Sequence, residues 1–241
     1  MTKKKNVLMR SAGLLLALVL VTSCFVGSTF AKYVTSGDAA DNARVAKWGV
    51  SITAHATGDV FAKEYDAIAG QDNTVIAGGE YKVIAPGTKK DNATLVTLSG
   101  KPEVSVQVTY NAEHFSLTGN WIGDASNTFY CPLIIKVTGK VGDAVKTETI
   151  NCVEKTSAAE VETAVKNAVA ACSATYGPNT DLSTVAGDGL KISWEWPFEG
   201  TANPGQTDAK DTYLGNQAAT ATGTDVPAIH IPVTATVTQI D

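Results

Sequence analysis

Three histidines, His55, His114 and His230, are the chain's only imidazoles, and none has a partner at catalytic spacing. Glu113-His114 lacks the second histidine, one helical turn away, of a zinc-hydrolase helix. His230 lies between Ile229 and Ile231 in an alternating run, so it faces away from the apolar row and reads as a surface residue. No serine occupies a G-x-S-x-G elbow, and no cysteine has a histidine–asparagine framework. Glu195 between Trp194 and Trp196 has the ingredients of a sugar site, a carboxylate flanked by stacking rings. A glycosidase needs a second carboxylate at a set distance, and alternation puts both tryptophans on one face, in the core, with Glu195 in water. Glu199, Asp208 and Asp211 with Asn203 are a set of oxygens for Ca²⁺, but their spacing is not an EF-hand's and the stretch reads as a solvated loop. These readings predict no catalytic residue, no resident metal and no cofactor, and so a structural rather than an enzymatic chain.

The remaining reactive groups are four cysteines, Cys24, Cys131, Cys152 and Cys172, with no C-x-x-C pair to suit a metal. We expect a Cys131–Cys152 disulfide. A hairpin joins a strand ending near Thr138 to one starting near Val145. With a two-residue turn at Val141-Gly142, residues whose numbers add to 283 face each other, and 131 and 152 do. Three reduced thiols and a Cys152–Cys172 bridge are the alternatives; in the favoured pairing Cys172 is the spare thiol.

Alternating apolar residues mark the elements that must position these groups. Period-two runs occur at Ala46 to Ala54, Val104 to Tyr110, Leu133 to Val137, Leu190 to Trp196 and Ile229 to Val237. Shorter strands are expected at Val60-Phe61, Tyr81 to Ile84 and Leu95 to Leu98, separated by glycine and proline turns. One segment, about 157–173, is helical, with Val161, Ala164, Val165, Ala168 and Val169 on one face and Ser157 with Glu160 as a capping box. From Glu199 to Asp225 a long loop is expected, with a short helical turn near Asp211 to Ala218. The fold class is a mainly β, antiparallel sandwich of jelly-roll type with one inserted helix.

The N-terminus fixes the compartment. Lys3, Lys4, Lys5 and Arg10 precede the uncharged run Leu14 to Val21, and the small residues of Gly27-Ser28-Thr29-Phe30-Ala31 precede Lys32-Tyr33. That is a secretory signal peptide cut between Ala31 and Lys32, and its core is too short for a permanent span of about 20 apolar residues. A cut before Cys24, within Val21-Thr22-Ser23-Cys24, would give a lipid-anchored binding protein instead. The expected layout is a signal peptide at 1–31, an extended segment at 32–43 and a β domain at 44–241. Beyond Ala31 the charge balance is 15 basic to 24 acidic residues, a net of −9 that suits neither nucleic acid nor an anionic membrane.

The Thr29-Phe30-Ala31-Lys32-Tyr33 pattern resembles TasA/camelysin-like exported proteins of Gram-positive bacteria with a SipW-type signal peptide. The similarity runs from Gly27 to Val50 and returns at Ile84-Ala85-Pro86-Gly87 and from Trp196-Pro197-Phe198 to Gly215. It implies cleavage by a dedicated signal peptidase and a secreted structural role in the cell surface or biofilm matrix. It also implies fibre formation through self-association or contact with other matrix proteins. The segment starting at Lys32, Tyr33 and Val34 is the expected donor for strand addition. The alternative is a secreted hydrolase, either a camelysin-type metalloprotease or a carbohydrate-active protein.

Overall fold

The structure, a computed structural model, describes residues 11–18, 43–55, 60–65, 75–79, 81–186, 189–198 and 205–240. The cut site Ala31–Lys32, the donor residues Lys32, Tyr33 and Val34, Cys24, Glu199 and Asn203 lie outside the described residues. The chain divides into two compact units, Met1–Arg44 and Val45–Asp241. In the first, residues 11–18 form helix α1 with its leucines exposed. No helix among the described residues is long and apolar enough to cross a membrane.

The second unit is mainly β, with three further helices, and all its strand pairings are antiparallel. Its strands are β1 Ser51–Ala54, β2 Glu64–Tyr65, β3 Val75–Ile76, β4 Lys89–Ser99, β5 Val106–Asn111, β6 Ser116–Thr118, β7 Ile134–Val141, β8 Ala144–Asn151, β9 Ala174–Tyr176, β10 Leu190–Glu195, β11 Ala228–His230 and β12 Thr234–Gln239. Five of them form one sheet in the order β1-β4-β10-β7-β8. A second sheet runs β12-β5-β9, and β11-β6 and β2-β3 are two-stranded ladders.

Alternation is cleanest where the sheets meet the core. Val106, Val108 and Tyr110 of β5 are buried while Gln107, Thr109 and Asn111 are exposed. In β10, Leu190, Ile192 and Trp194 are buried. Each such side chain contributes about 1.5–3 kcal/mol by leaving water. Trp194 is 1% exposed, donates its ring N–H to the Val60 carbonyl at 2.7 Å, and packs against Phe61 and Tyr65. The two tryptophans thus fill the core as alternation requires, and Glu195 between them is half-buried.

Helix α2, Ala158–Ala170, carries the predicted apolar face, with Val161, Val165, Ala168 and Val169 buried. Ser157 accepts from the Glu160 N–H at 3.3 Å, and Glu160 accepts from the Thr156 N–H at 2.8 Å, one residue earlier than the usual box. The Thr156 N–H first, and the Thr156 side chain second, hold the Glu160 carboxyl below the ordinary glutamate range. α2 lies on β5 and β6 as well as on β7 and β8, so one apolar face joins strands from three sheets.

Several expectations need correction. The Ala46 to Ala54 run forms only the four-residue β1, which stands at the end of its sheet, and its residues are all exposed rather than half-buried. The Ile229 to Val237 run is two strands in different sheets, β11 and β12, divided at Pro232, which has no N–H to continue a ladder. Tyr81 to Ile84 makes a single bridge, Val83 to Ala62, rather than a strand. The domain holds more than one helix. Besides α2 there are α3, Leu182–Val185, and α4, Asp208–Thr220, a thirteen-residue helix where a loop with one turn was expected. The β7–β8 turn is Gly142-Asp143, so paired residues add to 285, from Val141 opposite Ala144 to Ile134 opposite Asn151. Gly142, at φ +62, takes the first loop position, where the mirror-type hairpin turn requires glycine. The register predicted from Val141-Gly142 is therefore wrong by one turn position.

Candidate functional site

Two strand edges border one apolar groove. β1 hydrogen-bonds only to β4, from Ser51 opposite Ser99 to Ala54 opposite Val96, and its outer side is open among the described residues. β11 hydrogen-bonds only to β6. Ala54 and His55 at the end of β1, and all of β11, line a cavity of about 1000 Å³ whose walls include Phe61, Val83, Leu95, Ile231 and Val233. That volume is at the upper limit for small-molecule pockets. His55 and His230 stand at its rim, both exposed, and His55 Nε2 lies 3.2 Å from Thr97 Oγ1. His114 is exposed elsewhere. Leading into β1, Val45 is 91% exposed and Trp48 41%, and Ile52 within it is 41% exposed. Exposed large apolar side chains gathered at a sheet edge mark an interaction surface.

The opposite kind of site is a buried polar knot around Asp211, in which both carboxylate oxygens are engaged while Gln206 Oε1 has no partner. Asp211 was expected in a solvated loop; it is 6% exposed on α4. Its Oδ1 accepts from the Tyr130 hydroxyl at 2.5 Å and the Trp196 ring N–H at 3.1 Å, and its Oδ2 accepts from the Gln206 amide at 2.8 Å. Gln206 Nε2 also donates to the Pro197 carbonyl. The carboxylate sits in the first turn of α4, where the helix dipole favours negative charge. Thr207 caps that helix by accepting from the Lys210 N–H at 3.3 Å. The Lys210 ammonium lies 5.5 Å from the centre of the Tyr130 ring. Burial first, and the Asp211 hydrogen bond second, push the Tyr130 hydroxyl above the ordinary tyrosine range.

The turn Ala85-Pro86-Gly87-Thr88 closes the same knot. Gly87 N–H donates to the Trp196 carbonyl at 2.7 Å, and Trp196 N–H donates to the Thr88 carbonyl at 2.9 Å. Thr88 Oγ1 donates to the Ala85 carbonyl at 2.7 Å. Gly87 has φ +84, and a Cβ there would lie 2.3 Å from Phe198 Cζ, so only glycine fits.

No family model, no curated protein and no solved structure matches this chain. The turn Ala85 to Thr88, Trp196 and Asp211 meet in this knot. Sequence reasoning missed Tyr130 and Gln206 as partners of Asp211. The available signal was the Asp211–Leu214 spacing, which places both buried residues of α4 on one face.

The cysteines occupy two separate places. Cys131 and Cys152 are fully buried free thiols, and Cys152 Sγ donates to the Ile150 carbonyl at 3.9 Å. Cys152 N–H donates to the Leu133 carbonyl at 2.9 Å, which brings the residue after β8 beside the chain entering β7. The corrected register thus puts Leu133 opposite Cys152, with Cys131 two residues farther on. Cys172 is buried against Gly139, farther along β7. Among the described residues, no three His, Cys, Asp or Glu side chains gather to hold a metal ion.

Proposed function

We propose that this chain is an exported structural protein of the cell surface or extracellular matrix, cut after Ala31, that associates with copies of itself by strand addition. The observation that carries the reading is the open β1 edge, on which Ile52 is exposed, as are Val45 and Trp48 in the segment leading into it. Unpaired main-chain groups on such an edge are satisfied by an incoming strand, and alternate side chains set its register. The occupant in this reading is the segment that begins at Lys32, Tyr33 and Val34 in a second copy, because in sequence it precedes the edge strand β1. The five-stranded and three-stranded sheets, joined by α2, are then the two layers of a jelly-roll-like sandwich.

The test uses the secreted chain. Mass spectrometry should give an N-terminus at Lys32; a lipid on Cys24 would replace this assignment. Electron microscopy and light scattering of that chain should show fibres or large oligomers. Removing 32–42 should leave monomers with an unchanged circular dichroism spectrum and melting transition. Monomers at high concentration with and without the segment would overturn the proposal.

A further inference from the structure

We propose that Cys131 and Cys152 are a paired redox site whose state is chosen while the chain folds and is then sealed by the core. The geometry singles out this pair. Both thiols are 0% exposed, and the Cys152 backbone is hydrogen-bonded to Leu133, two residues from Cys131. Cys172 packs on Gly139, six residues from Leu133 along one extended chain, which is roughly 20 Å. A bridge needs Cα atoms within about 7 Å, so the fold excludes Cys152–Cys172 and leaves Cys172 as the single thiol among the described cysteines.

The chemistry is disulfide exchange with an external disulfide, either an oxidoreductase's or that of an oxidised low-molecular-weight thiol. One cysteine thiolate attacks the oxidant's sulfur and expels its first thiolate, giving a mixed disulfide. The second cysteine attacks the protein sulfur of that bond and expels the other thiolate. Two protein thiols and one disulfide thus become one protein disulfide and two thiols, the cysteine protons going to the departing sulfurs. Both attacks need a thiolate and access for the oxidant. In the folded chain neither is present. The neighbouring Cys131 side chain first, and burial second, hold the Cys152 thiol far above the ordinary cysteine range. The same burial shields a bridge, once made, from reductants.

Refolding from denaturant in an oxidised and reduced glutathione mixture tests this directly. The refolded chain should lose two of its reactive thiols, and peptide mapping should link Cys131 to Cys152 with Cys172 free. The chain folded in reductant and then given the same mixture should keep all three thiols, oxidising at least about tenfold more slowly than the unfolded chain. Cys172→Ala should still acquire the bridge. The bridged form should unfold at higher denaturant than the reduced form, and Cys131→Ser should abolish that difference. Equal oxidation rates for folded and unfolded chains, a bridge to Cys172, or correct folding in the mixture with three free thiols would each overturn the proposal.

Discussion

The Asp211 knot and the β1 edge are built from similar materials to opposite ends. Each contains a tryptophan, a short turn and a strand terminus. In the knot, every atom that Asp211 offers is engaged, and Trp196 is 5% exposed. At the edge, one side of β1 is open and Trp48 is 41% exposed. The difference teaches where the stability of this domain resides and where its capacity for partners lies. A buried carboxylate is tolerable only when fully satisfied, so the knot holds α4 and two distant turns in one arrangement. The edge is held on one side only, by its ladder to β4.

The largest separation between the two regions should appear on truncating Asp211. Asp211→Ala leaves the Tyr130 hydroxyl, the Trp196 N–H and the Gln206 amide short of a buried acceptor, a loss of about 3–5 kcal/mol. Urea unfolding measures it, and a loss no greater than that of an edge substitution would erase the contrast. Gly87→Ala drives a methyl into the Phe198 ring at a positive φ and should cost about 2 kcal/mol in the same assay.

Alkaline pH sharpens the comparison next. Burial first, and then neighbouring Tyr176 and Cys172, raise the Tyr110 hydroxyl, as burial and Asp211 raise Tyr130. A raised folded value favours the protonated form in the fold. That stability is complete below the unfolded tyrosine value of about 10 and is lost as pH climbs from there toward the folded values. Unfolding free energy should therefore fall above pH 10, by about 1.4 kcal/mol per pH unit for each such tyrosine. Tyr130→Phe should make the decline shallower. Smallest of all is Trp48→Ala, within about 0.5 kcal/mol of the parent in stability. In light scattering it should reduce self-association, which none of the knot variants does while folded.

Sequence alone disclosed those parts of the fold in which one residue's pattern decides its place. β5, β7 and β10 bury alternate side chains against a continuous core, so their period survives in the letters. α2 announces itself by an apolar stripe and the Ser157–Glu160 pair. α4 does not, because it buries only Asp211 and Leu214 and has an amphipathic pattern too faint to read. Its helix is fixed by partners at Tyr130, Trp196 and Gln206 that no local window contains. The β11–β12 division was legible in Pro232 but was overridden by the alternating isoleucines and valines around it. The Cys131–Cys152 bridge was expected from a register that the structure corrects: Leu133, not Cys131, stands opposite Cys152, and both thiols are free.

The uneven exposure of the four tryptophans has an optical consequence. Trp121, Trp194 and Trp196 are between 1% and 5% exposed, whereas Trp48 faces solvent. A collisional quencher such as iodide reaches the one indole at the β1 edge and leaves the other three emitting in apolar surroundings. The quenchable fraction of the intrinsic emission is thus a label-free gauge of whether that edge is occupied. It can be read at any concentration without attaching a dye to the surface under study.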